Sequence, residues 1–143
     1  MLSFMKVTLT YSRNLHFKAS VRSFENLNVD EPESFHGTDL GPSAVEYLLI
    51  GIGGCLGTTF THCLQKKNLE LKDFKVVVDG KLTHVGPKKR LRLVGVNVEM
   101  KFSLKEIRSK EIIDSCVKDF KDNCIITNSI AKGLPIGVNC QQL

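Results

Sequence analysis

"GPSAVEYLLIGIGGCLGTTFTHCLQKKN", residues 41–68, is a long apolar stretch interrupted by Gly51, Gly53, Gly54 and Gly57 and carrying Glu46, Cys55 and Cys63. Ser43-Ala44-Val45-Glu46 is a capping-box pattern, in which the Ser and Glu side chains satisfy each other's backbone amides at a helix start. The spacing predicts a helix from there to about Lys67, roughly 36 Å long at 1.5 Å per residue. Each interior glycine costs about 1 kcal/mol against alanine, which is tolerable where other backbone packs very close or where neighbouring elements wrap the helix. A helix apolar on most sides is a buried, central one. As a membrane span the stretch falls short of about 20 uninterrupted apolar residues. It contains Glu46, Thr58 and Thr59 and runs into His62, Gln65 and Lys66.

On the N-terminal side, Val7, Leu9 and Tyr11 alternate with Lys6, Thr8 and Thr10, the period of a half-buried strand. After Ser12-Arg13-Asn14 the alternation resumes with Leu15, Phe17, Ala19 and Val21, which predicts a hairpin. Residues 26–42 read as a strand end followed by a polar loop containing Pro32, Gly37 and Pro42. Beyond the helix, residues 71–85 and 91–102 predict two strands joined around "GPKKR", with Val94, Val96, Val98, Met100 and Phe102 on one face. A helix is expected over 103–122, opened by a second capping box at Ser103 and Glu106. Ile112, Ile113, Cys116, Val117 and Phe120 share its apolar side. A short helix from Cys124 to about Lys132 stops at Gly133-Leu134-Pro135, and "IGVNC" predicts a last strand. The order is strands, helix, strands, helices, strand: α+β, mainly antiparallel. At 143 residues a single domain over 1–143 is expected.

The net charge of +5 is mild and most concentrated in 86–92. Without tryptophan or an aromatic-interleaved basic motif, nucleic-acid binding is not expected. Five cysteines (55, 63, 116, 124 and 140) without a secretory signal at the start argue against a disulfide framework and for the reducing cytoplasm. No pair has the short spacing of a structural zinc site, so neither metal nor other cofactor is expected. Cys63 and Cys116 read as packing, since free cysteine is among the most buried residue types. Cys140 reads as incidental.

Cys55 differs in its surroundings, because Gly53, Gly54 and Gly57 leave its approaches bare of side chains. Glu46, nine residues earlier, lies on the opposite side of a straight helix. It is either a capping acid or, if the glycines bend the helix, a neighbour of Cys55. Cys124 follows Asp122-Asn123, either of which can cap the next helix. In a first turn its thiolate is favoured. It can equally be a small apolar residue opening "CIITNSI".

At these residues the chain resembles the OsmC/Ohr family, the osmotically inducible protein C and organic hydroperoxide resistance proteins. Gly41-Pro42-Ser43-Ala44-Val45-Glu46 through Gly54-Cys55 is similar to the family's "G-P-S-P-x-E-L-L-L-A-A-L-A-G-C" segment. Cys124 through Ile130 is similar to its second, C-x-x-S/T-x-x-L/I. The likeness covers about residues 37–140, and the N-terminal hairpin agrees in pattern only. The resemblance implies an OsmC-like fold: an intertwined homodimer with antiparallel sheets around a long buried central helix. It implies a thiol-dependent peroxidase for organic hydroperoxides or hydrogen peroxide, with Cys55 peroxidatic and Cys124 resolving. An external dithiol, on a lipoyl protein or a thioredoxin-like one, would be the reductant. It also implies an Arg–Glu pair at the thiol, here Arg13, with Arg22 as rival, and Glu46. The chain departs from the pattern in two places. The catalytic glutamate of the best-defined reductases stands ten residues before the cysteine, where this chain has Val45, and Ile125 replaces a frequent proline. The second function expected from these departures is a non-catalytic redox-sensing or small-ligand-binding dimer. The third is a structural dimer whose cysteines only pack.

Overall fold

The computed structural model describes residues 4–107 and 110–143. The chain divides into two compact units, Met1–Leu48 and Leu49–Leu143. In the first, β1 (Thr8–Arg13), β2 (His16–Val21) and β3 (Phe24–Val29) form an antiparallel sheet in the order β1-β2-β3. Asn14 (φ 48°) and Arg22 (φ 53°) take the left-handed conformation in the two tight turns. The predicted hairpin is therefore present, with a third strand added. Leu9 and Tyr11, expected to be half buried, are exposed in the single chain. Among the described residues of this unit β1 is left uncovered, and Tyr11 stands edge-on to Phe17 at 5.7 Å.

The loop after β3 is organised by a buried carboxylate. Asp30 accepts hydrogen bonds from the amides of Glu31, Thr38 and Leu40 and from the Thr38 hydroxyl, the last at 2.6 Å. These bonds fold the chain around the short 3-10 turn Glu33–Phe35 and deliver it to Ser43. There α1 (Ala44–Lys66) begins. The capping box forms as predicted. The Ser43 amide donates to Glu46 Oε2 at 2.6 Å and the Glu46 amide to Ser43 Oγ at 3.3 Å. The helix ends one residue short of the predicted limit, at a left-handed Asn68 (φ 55°). Leu69 N–H bonds to Leu64 O and Asn68 N–H to Gln65 O, the double closure of a Schellman motif.

In the second unit, β4 (Leu71–Val85) and β5 (Arg90–Leu104) pair antiparallel along their length around a turn at Gly86–Lys89. The face predicted to hold Val94 through Phe102 is real only from Val98 onward. Between Lys81↔Gly95 and Leu82↔Leu93 the register shifts by one residue. Val94 is the extra residue of that bulge and drops out of the alternation; Val96 keeps the phase of Val98 but is exposed, while Val98, Met100 and Phe102 pack on the core.

β5 also runs further than expected. Ser103 lies within it, donating to Asp73 Oδ2 at 3.2 Å, so the second capping box does not form there. The following helix, α2 (Lys110–Asn123), starts later than 103, and Arg108 and Ser109 lie outside the described residues. The short helix α3 (Ile125–Ile130) follows at once. The last predicted strand, "IGVNC", does not form in the single chain: 134–143 are exposed and without regular structure, and no strand among the described residues pairs with them.

The core lies where α1 crosses the β4–β5 hairpin and α2. Ile52, Leu56, Phe60 and Leu64 form one buried stripe of α1 at i, i+4 spacing, against Leu69, Cys116, Phe120 and Cys124. Phe60 is its hub, edge-on to Phe102 at 4.8 Å, Phe120 at 5.2 Å and Phe74 at 5.6 Å. By length and apolarity α1 could cross a membrane, but this stripe is occupied in the core. The class is α+β with antiparallel sheets and a long helix, as predicted.

Candidate thiol site

Cys55 sits one residue before Leu56 of the buried stripe, so α1 holds it at the edge of the core, half buried. Gly53 sets how deep. A Cβ added there would lie 2.8 Å from Val78 Cγ2 of β4, closer than side chains pack. A larger residue would force either the Val78 side chain or α1 itself to shift. Gly51 meets Ile126 Cδ1 of α3, at an ordinary 3.7 Å from its would-be Cβ. Gly54 faces open space on the side next to Cys55. Only part of the glycine content therefore answers to close packing within the chain.

Cys124 comes to Cys55 from the other side. It is the N-cap residue of α3, with φ −69° and ψ 112°. The predicted caps Asp122 and Asn123 do not take this role, and Asn123 Nδ2 instead donates to Asp119 O at 2.8 Å. The α2–α3 joint is fastened by a residue that sequence reasoning passed over. Asn128 Nδ2 shares its hydrogens among the carbonyls of Cys124 (2.8 Å), Lys121 (3.0 Å) and Asp122 (3.1 Å). Its one sequence signal is an amide side chain four residues after Cys124 in a short helix that is half polar. Cys124 is fully buried, and its sulfur lies 3.0 Å from Cys55 Sγ, across 69 residues of chain.

Burial alone would raise the Cys124 pKa. Hydrogen bonds outweigh it, from Cys55, the Thr127 hydroxyl and the Thr127 and Ile126 amides, and hold the thiol below its usual value of 9.0. None of these closes into a full side-chain cap, so it is their sum that favours thiolate. The arrangement is a dithiol sharing hydrogen-bond contact. One sulfur is fully buried and inclined to ionise, the other half buried. A disulfide bond of about 2.05 Å needs a closing movement of about 1 Å.

The other predicted residues lie in the first unit. Glu46 is engaged by the Ser43 amide. Arg13 closes β1 and is exposed. Its rival Arg22 stands over the Phe24 ring, 5.1 Å from the centroid. Cys63 and Cys116, expected only to pack, also meet, with sulfurs 2.7 Å apart. Cys140 is exposed.

Among solved structures, the fold is similar to that of an OsmC-like protein from Mycoplasma pneumoniae, at TM-score 0.75 and 17% identity over 94% of this chain and 91% of that one. It is also similar to a hypothetical protein from Aquifex aeolicus (TM-score 0.70, 22% identity, 92% and 90% covered). The organic hydroperoxide resistance protein OhrB of Bacillus subtilis matches at TM-score 0.58 and 16% identity, with 90% of each chain covered. No curated protein matches the sequence. The profile of the family described as "OsmC-like protein" matches residues 37–139, a span that takes in the Asp30-fastened loop end, the whole of α1 and both cysteines of the close pair. The chain belongs to the OsmC-like protein family.

Proposed function

We propose that the protein is a thiol-dependent peroxidase that reduces organic hydroperoxides or hydrogen peroxide through Cys55 and Cys124. The observation that carries this reading is the 3.0 Å contact between two sulfurs 69 residues apart, one half buried and one fully buried. The more accessible Cys55 meets the peroxide. As thiolate it attacks the terminal oxygen, the O–O bond breaks, and Cys55 becomes a sulfenic acid while the alkoxide leaves and takes up a proton. Cys124 then attacks the Cys55 sulfur, forming the disulfide and releasing water. An external dithiol reduces the disulfide by exchange and leaves as a disulfide itself. The lowered pKa of Cys124 suits both the resolving attack and its later departure as thiolate.

Arg13 and Glu46 enter the same reading as the charge network of the site. Their test separates chemistry from structure: a proton-transfer role predicts that Glu46→Gln loses about 10²-fold in turnover, whereas a pure cap predicts lower stability with turnover kept. The working form is a homodimer in the cytoplasm.

Purified protein given cumene hydroperoxide and a dithiol should turn over continuously, and Cys55→Ser should abolish this. Cys124→Ser should accumulate a Cys55 sulfenic acid that dimedone traps. Turnover that survives Cys55→Ser rules the peroxidase out. The second reading, a redox sensor using the same pair, is favoured by the completeness of the Glu46 cap. It predicts stoichiometric oxidation with no sustained peroxide consumption.

A further inference from the structure

Cys63 lies eight residues after Cys55 on α1, and Cys116 eight before Cys124 on and beyond α2. This symmetry of spacing produces a second meeting of sulfurs, at 2.7 Å, across 53 residues of chain. The two pairs are separated by about 12 Å of helix rise, too far for direct exchange between rigid elements. The second pair is therefore a centre of its own.

Its two members differ in access. Cys116 is fully buried. Burial, with the hydrogen bond to Cys63, pushes its thiol up to about 12, so in the resting dithiol it is protonated. Cys63 is half buried and lines a surface cavity of about 620 Å³. Around that cavity stand His62, Lys66 and Lys67, with Asp119 as the one acid. Neither sulfur of the first pair lines it. A dithiol with a reachable and an unreachable sulfur, under a basic rim, is arranged to meet an anionic sulfur compound.

We infer that Cys63 and Cys116 form a second redox-active dithiol, in which Cys63 takes up an anionic low-molecular-weight disulfide from the basic cavity and Cys116 closes an internal disulfide between α1 and α2. In the first step Cys63 thiolate attacks one sulfur of the disulfide R–S–S–R. A Cys63–S–S–R bond forms and R–S⁻ leaves, taking from solvent the proton that Cys63 released. In the second, with Cys63 tied up in the mixed disulfide and its thiol no longer holding the Cys116 proton in place, Cys116 gives up that proton and attacks Cys63 Sγ as thiolate. The Cys63–Cys116 bond forms, the second R–S⁻ leaves and takes the Cys116 proton. The protein dithiol loses two electrons and the external disulfide becomes two thiols.

The test uses the full chain as wild type and as Cys55→Ser/Cys124→Ser, which silences the first pair, so that failure of the peroxidase reading and failure of this one are told apart. Each is incubated with oxidised glutathione, as the anionic probe, or hydroxyethyl disulfide, as the neutral one, and mapped by non-reducing peptide mass spectrometry. A Cys63–Cys116 cross-linked peptide is expected in both proteins. With Cys116→Ser, glutathione should remain on Cys63 as a mixed disulfide. The anionic probe should react about tenfold faster than the neutral one, and Lys66→Gln/Lys67→Gln should remove that preference. Free Cys63 and Cys116 in the wild type, under conditions that oxidise exposed Cys140, overturn the inference. So does glutathione on Cys116 in place of Cys63, or equal rates for the two probes. Should a substituted chain not fold, the wild-type map and probe rates decide alone.

Discussion

At the scale of single residues, Asp30 shows how much one buried charge can organise. Its carboxylate collects the amides of Glu31, Thr38 and Leu40 and the Thr38 hydroxyl. The Thr38 hydroxyl contributes most, burial opposes it, and the amides add to it, bringing the acid from the usual 3.8 down to about 2. The sign follows by linkage: a folded-state pKa below the unfolded one means stability that is fully present above 3.8 and lost as pH falls through about 2. Asp30→Asn cannot ionise and places an amide donor among donors. It should lower the melting temperature at neutral pH and abolish that part of the acid limb, so that the two proteins converge near pH 2. Parallel acid limbs in thermal melts would show that Asp30 carries no such linkage. Cys124 makes the same point for a thiol, because donors around it overcome its burial.

At the scale of elements, α1 is defined by its contacts as much as by its composition. The stripe Ile52, Leu56, Phe60 and Leu64 is buried, while the opposite line of Ile50, Gly54, Thr58 and His62 is exposed in the chain. Thr58 and Thr61 bond back to the carbonyls of Gly54 and Gly57, both at 2.8 Å, supplying acceptable partners for polar groups on an apolar helix. Gly53 is the tightest point against Val78. Gly53→Val should destabilise the protein by about 1–3 kcal/mol through overpacking, read from urea unfolding. Because Cys55 is two residues away, the disulfide proposed for it with Cys124 should form more slowly. Unchanged stability would mean that α1 has room over β4.

At the scale of the whole molecule, the chain leaves large apolar side chains uncovered: Ile50 at 58%, Tyr11 at 62%, Ile136 at 84% and Val138 at 87% exposure. Scattered apolar exposure is ordinary, but these lie on three different elements, including a tail without a strand partner. The homodimer proposed above would have to cover part of this surface. Light scattering behind size exclusion should give twice the 16.0 kDa chain mass, and Ile136→Asp/Val138→Asp should shift it toward the single-chain value. A wild-type protein eluting as a 16.0 kDa species would refute the dimer.

What was legible in the sequence was what neighbouring residues settle among themselves. Ser43 and Glu46 are three apart and cap the same turn. The i, i+4 stripe of α1 follows from helical period, and the long β4–β5 hairpin from its alternation and turn. The misread features depend on partners far along the chain. Val94 drops out of the alternation of β5 through its register with β4, and pairing with β4 carries β5 past the supposed cap at Ser103. "IGVNC" is no strand in the single chain, since a strand exists only with a partner. The meeting of Cys63 with Cys116 belongs to the same class, whereas the pairing of Cys55 with Cys124 was expected from the family resemblance alone. Spacing showed which cysteines were present, but which ones touch was decided only when α1, α2 and α3 packed around Phe60, because a contact across 53 or 69 residues is fixed by shared core burial and leaves no local trace.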